Sequence, residues 1–115
     1  MINIEFYRDN DNHLISVKVT GHANYSEYGS DIVCAAVSSQ MISVENSLVQ
    51  LLGIDVKTVV DDVEGGYLTF EIPSLSNKTV DHDAQVLMKH LFFAMEVLAE
   101  NYPEYIKLRI TNKKP

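Results

Sequence analysis

Ile2, Ile4 and Phe6 alternate with polar neighbours, and Ile15, Val17 and Val19 repeat the alternation after the turn-forming run Asp9-Asn10-Asp11-Asn12. A period of two belongs to a strand with one buried face, so the start of the chain reads as a β-hairpin ending at Gly21. A hairpin cannot bury that face by itself and requires a second layer. Two helical stretches supply it. Asp31 to Leu52 places Val33, Val37, Val44, Leu48 and Leu51 on one stripe, with Met41 at its edge, Ser30 or Asp31 as cap and Gly53 as stop. A second helix runs from about His82 to Asn101, with Pro103 marking its exit. Between them Asp55–Val60 and Tyr67–Ile72 flank Glu64-Gly65-Gly66, Pro73–Asn77 reads as a loop, and Tyr105–Ile110 alternates again. The order ββαββαβ predicts an α+β fold, a mixed sheet with two helices packed on it, in a single domain over residues 1–115.

Composition narrows the function. The 115 residues carry nine basic and sixteen acidic side chains, a formal net charge of −7. Nucleic-acid backbones call for clustered Lys and Arg, so direct nucleic-acid binding is not expected, whereas a basic protein or cationic peptide is attracted. No apolar run approaches the roughly 18–20 residues of a membrane span. Met1-Ile2-Asn3-Ile4-Glu5 lacks the basic head and apolar centre of a signal peptide, which makes the cytoplasm the expected location. One cysteine rules out an internal disulfide framework and a multi-thiolate zinc site.

The second helix is apolar on two faces. Ala84, Leu87, Met88, Leu91, Met95 and Leu98 form one, and Val86, Phe93 and Val97 form another with His90 beside them. Both require cover. Either strands and the first helix cover the second stripe, or it is the interface of a two-fold homodimer.

The lone cysteine, Cys34, falls in the first turn of its helix, in Asp31-Ile32-Val33-Cys34-Ala35-Ala36-Val37-Ser38. A thiolate is the nucleophilic form, and a helix start favours it through the macrodipole and free amides, which can also stabilise an oxyanion. His22, in Gly21-His22-Ala23, follows a strand and precedes the segment that delivers Cys34, so it is the natural base. Asp31 either orients His22 or caps the helix, and Ser38, one turn beyond Cys34, either lines the site or bonds a backbone carbonyl. The competing reading makes Cys34 a buried small hydrophobe and His22 structural.

Gly21-His22-Ala23, Gly29 and the Asp31–Ser38 segment together resemble the ribosomal-processing cysteine protease family, Prp or YsxB-like, and length and element order extend the resemblance over nearly the whole chain. The resemblance implies a catalytic dyad of His22 as general base and Cys34 as nucleophile, with Asp31 and Ser38 supporting and no cofactor. It also implies homodimers, and removal of a short N-terminal extension from a large-subunit ribosomal protein whose tail reaches the peptidyl-transferase centre. The cut in that family follows an aromatic-rich stretch. Tyr25, Tyr28, Ile32 and Val33 are the candidate groove walls, and the Tyr25–Ser30 loop the candidate gate. Rival readings are a non-catalytic ribosome-assembly adaptor, a thiol redox sensor lacking a resolving cysteine in this chain, and a metal site drawn from His22, Cys34, His82 and His90, whose histidines show no HxH or HxxxH spacing.

Overall fold

The computed structural model describes residues 1–21, 30–61 and 67–112, with Ser30, Asp31 and Tyr67 described by backbone alone. The strands are β1 (Ile2–Arg8), β2 (Leu14–Thr20), β3 (Lys57–Asp61), β4 (Tyr67–Glu71) and β5 (Ile106–Asn112); the helices are α1 (Ser30–Gln50) and α2 (Lys78–Asn101). The expected ββαββαβ order is the observed one. The five strands form one sheet in the order β3-β4-β2-β1-β5, antiparallel except where β1 pairs in parallel with β5.

The alternation read in the sequence sets the sheet's two faces. Ile2, Ile4 and Phe6 of β1, Val17 of β2, Phe70 of β4 and Ile106 of β5 are buried beneath the helices. From above, α1 contributes Val33, Val37, Met41, Val44 and Leu48, and α2 contributes Ala84, Met88, Leu91 and Met95. Phe6 meets Phe92 of α2 edge to face, with ring centroids 5.1 Å apart, a favoured aromatic arrangement. The opposite face presents polar groups such as Glu5, Tyr7, Lys18 and Glu71. There Glu5 accepts hydrogen bonds from the Tyr7 and Thr111 hydroxyls, and the Tyr7 contact is the largest influence holding its carboxyl below the usual range.

Several expectations are corrected in detail. In α1, Met41 lies inside the buried stripe, and Leu51, beyond the end of the helix, is exposed. That helix also reaches a mean hydropathy of 1.3 over Ile32–Gln50, long enough to span a bilayer, although no uninterrupted apolar run does; its buried stripe marks it as the core helix of this fold. Ser30 and Asp31 both fall within the helix, so neither caps it as assigned. In α2 the helix starts a turn earlier than the sequence suggests, because the Asn77 side chain accepts the amides of Thr79 and Val80 and caps it. Of its two apolar faces, the described residues cover only the first: Val86, Phe93 (60 % exposed) and Val97 face outward.

Two polar devices fix the far end of the hairpin. Asp9 Oδ1 accepts the amides of Asp11 and His13, and Asn12 takes a positive φ of 64° to close the turn. Burial pulls the Asp9 carboxyl upward, and these amides together with the His13 ring outweigh it, leaving the group below its ordinary value. The His13 ring lies 3.4 Å from Asp9 and 3.5 Å from Asp81 of α2, half-buried rather than free. Close by, where a register shift interrupts the β1–β2 ladder, the buried Gln85 amide donates to Leu14 O at 2.9 Å and accepts from Leu14 N at 2.8 Å. It thus acts as the missing strand partner. Replacing it with leucine would leave a buried N–H and a buried C=O without acceptor or donor, each costing about 1–3 kcal/mol. Gln85→Leu is expected to destabilise the fold by roughly 2–6 kcal/mol, read as a lowered midpoint in urea; an unchanged midpoint would refute the clamp.

Candidate active site

The site begins where β2 ends. Gly21 follows Thr20 with φ +85°, and a Cβ built on it would lie 2.3 Å from the carbonyl oxygen of Met1. Only glycine accepts both that backbone conformation and that closeness. The chain therefore turns sharply against its own N-terminal strand at the residue immediately before His22.

Helix α1 starts at this same end of the sheet. β2 and β3 are each antiparallel to β4, so both run toward the Gly21 end, and α1 returns from it toward the start of β3. Cys34 is the fifth residue of α1 as assigned, one position past the first turn expected for it. Its own amide thus belongs to the helical ladder, and the free amides are those of the residues before it. Helical side chains lean toward the N-terminus, which carries the thiol back over that first turn. Cys34 is half-buried, packed at the rim of the core and free of any disulfide. It is neither a sealed core residue nor a loosely exposed one.

The neighbours separate clearly. Val33 is 1 % exposed and belongs to the core, which removes it from the groove wall expected of it, whereas Ile32 is 59 % exposed and available to a ligand. A helix turns 100° per residue, so adjacent positions cannot share a surface. Ser38 is exposed one turn beyond Cys34. His22, Tyr25 and Tyr28 lie outside the described residues, as does the Asp31 side chain, and with them the gate expected over Tyr25–Ser30. The remaining histidines sit elsewhere. His82 is exposed in the second turn of α2 beside Asp83 at 3.2 Å, and His90 is exposed on the outer side of α2. Among the described residues, the metal-type groups that gather are Asp9, Asp11 and His13, at the hairpin turn and so at the opposite end of the sheet from Gly21.

An α+β sheet thus carries a half-buried thiol one turn into a helix that starts at the sheet end where Gly21 closes β2. The sequence profile of the family described as Cysteine protease Prp matches residues 1–107. The chain belongs to that family and is a cysteine protease. It is 31 % identical over 111 residues to the ribosomal processing cysteine protease Prp of Bacillus subtilis, covering 96 % of each chain. With the Staphylococcus aureus protein of that name it shares 30 % identity over 108 residues, covering 94 % of this chain and 97 % of the relative. Among solved structures it superposes on SMU.848 from Streptococcus mutans with a TM-score of 0.87 and 37 % identity, covering 98 % of this chain and 96 % of the other. On S. aureus Prp in complex with a substrate peptide the TM-score is 0.81 at 25 % identity, covering 96 % and 99 %. The S. aureus protease has also been solved with a covalently linked product peptide.

Gly21→Ala tests the strand exit. Forcing a β-carbon into this conformation costs about 1–2 kcal/mol before the clash with Met1 is counted. Displacing the adjoining histidine segment by about 1 Å can lower catalysis by about 100-fold. The variant is expected to lose at least about ten-fold in kcat/KM toward a cleaved peptide at a temperature where circular dichroism shows it folded. Full activity would show that the turn does not position the site.

Proposed function

We propose that this protein is a ribosomal processing protease that removes a short N-terminal extension from a large-subunit ribosomal protein, using Cys34 as nucleophile and His22 as general base. The observation that carries this reading is the half-buried thiol near the start of α1, set at the sheet end where β2 closes at Gly21, the residue before His22 in the sequence. The names of the B. subtilis and S. aureus relatives support the substrate class, and the two S. aureus peptide complexes support peptide recognition.

The chemistry follows from the residue types. His22 takes the Cys34 proton, and the thiolate adds to the scissile carbonyl to give a tetrahedral oxyanion, which free amides at the helix start can stabilise. The intermediate collapses by expelling the amine, which takes its proton from the imidazolium. A thioester then joins Cys34 to the acyl part of the peptide. Water, deprotonated by His22, hydrolyses the thioester and restores the thiol. Neither metal nor organic cofactor enters this sequence. The net charge of −7 favours approach by a basic ribosomal protein in the cytoplasm.

The uncovered stripe of Val86, Phe93 and Val97 on α2 supports a homodimer in which two copies hide these side chains from water. Phe93→Asp is expected to shift the sedimentation coefficient from that of a dimer toward that of a 13.0 kDa monomer; an identical coefficient would remove the stripe from the interface.

The function itself is tested by incubating the protein with a peptide spanning the extension and mature start of the ribosomal protein, with mass spectrometry to locate the cut. Cleavage after the aromatic stretch is expected, abolished in Cys34→Ala and reduced at least about 100-fold in His22→Ala. Intact peptide and intact full-length ribosomal protein after incubation with the wild-type dimer would instead favour the adaptor reading.

A further inference from the structure

The helices lie on one face of the sheet, and the opposite face holds a cavity of its own. Alternation along the strands brings Tyr7, Ser16, Glu71 and Lys57 to that face, in one row across β1, β2, β4 and β3. The neighbouring row carries Glu5, Lys18, Thr69 and Val59. All of these except Glu5 line a cavity of about 340 Å³. That is the small end of the roughly 300–1,000 Å³ found for small-molecule sites, and more than a bare inorganic ion would fill. Cys34 packs against the core on the other side of the sheet, so the cavity and the thiol are separate.

The polar groups of this face are mostly matched to one another. The Tyr7 hydroxyl donates to Glu5, and the Thr69 hydroxyl donates to the Val17 carbonyl at 2.9 Å. Glu5 also accepts from the Thr111 hydroxyl and stands between Lys18 and Arg109 in the strand register. Lys18 and Glu71 are each already engaged within the fold. Two donors remain. Ser16 is only 5 % exposed, yet its hydroxyl has no hydrogen-bond partner among the described residues. Lys57 stands directly across from Glu71 but forms no ion pair among the described residues. A hydroxyl this buried is costly to leave unpaired, and an ammonium can only donate.

The cavity therefore lacks an acceptor with negative charge. Its lining sets two lysines against one glutamate, in a chain whose net charge is −7. We propose that it binds a small organic anion, a phosphate or carboxylate group carried on a few carbon atoms. The anionic head accepts from the Ser16 hydroxyl and the Lys57 ammonium, and Lys18 adds positive charge beside them. Tyr7 and Val59, at the two ends of the lining, bound the carbon part by apolar contact. The occupant is small because the unmatched donors lie within a single row of the sheet. Glu5, Glu71 and Asp61 around them would repel an extended polyanion.

The test is a titration of the isotope-labelled full chain with AMP, glycerol phosphate and citrate at constant ionic strength, followed through amide chemical shifts. Saturable shifts centred on Ser16, Lys57 and Thr69 are expected with at least one of the three. The phosphates against citrate identify the preferred head group, and AMP against glycerol phosphate shows whether a ring beside Tyr7 adds affinity. Ser16→Ala and Lys57→Gln should each raise Kd at least about five-fold. Lys57 is exposed, so Lys57→Gln tests the site whatever Ser16→Ala does to stability. Sodium chloride alone should give only shifts that do not saturate, as screening of exposed charge does. Absence of saturation with all three probes, or the same Kd in Lys57→Gln as in the wild type, would overturn the site.

Discussion

Two helices are too few to roof five strands. A helix with its side chains is about 10–12 Å across, and neighbouring strands stand about 4.8 Å apart, so a pair of helices covers roughly four strands. With α2 seated over Phe6 through Phe92 and α1 beside it, the two edge strands are thinly covered: all five residues of β3 and five of the seven in β5 are exposed. The architecture follows from this mismatch. The core is complete where the helices cover the sheet, and one apolar margin of the sheet remains open beside α1.

That margin explains how one helix can be both part of the core and the carrier of an approachable thiol. The stripe of α1 from Val33 to Leu48 is sealed, which holds the helix rigidly against the sheet. Cys34 lies at the rim of the stripe and is half-buried. A fully sealed thiol would be beyond the reach of a peptide and disfavoured as an anion, and one on the outer side of the helix would lack a surface on which to hold a substrate. At the rim the thiol is held by packing and still approached from the uncovered side.

Much of this was legible in the sequence, and the exceptions have physical causes. The period-two alternation of Ile2, Ile4 and Phe6, and of Ile15, Val17 and Val19, identifies the hairpin because burial on one face leaves few other solutions. The α1 stripe was legible in direction but not in extent, since periodicity carries on through Leu51 after the helix has ended. The first turn of α2 was missed because Thr79 and Val80 are β-branched, and their low helix propensity hid the cap at Asn77. The Gln85 clamp left no signal, since a glutamine on a helix reads as exposed until the strand irregularity at Leu14 is known. In the site, the Gly-His and Cys motifs could be read as chemistry, but Val33 and Ile32 could not be told apart without the helix's rotation relative to the sheet. Val60 could be assigned to a strand, yet its exposure depends on how far the helices reach.

Gly21 shows how closely the core and the site are coupled. A glycine at a strand end is commonly read as a simple turn residue, but here a β-carbon would strike the Met1 carbonyl, and Met1 adjoins the strand whose Ile2, Ile4 and Phe6 lie at the centre of the core. The strand exit therefore cannot shift without moving β1, and β1 is held on both sides, by β2 and by β5. The constraint passes in one step from the most rigid part of the molecule to the residue before His22. In this fold the sheet defines where the chain leaves β2, one residue before His22 in the sequence, and the sealed stripe of α1 defines the position of the thiol, so both are referred to the same core.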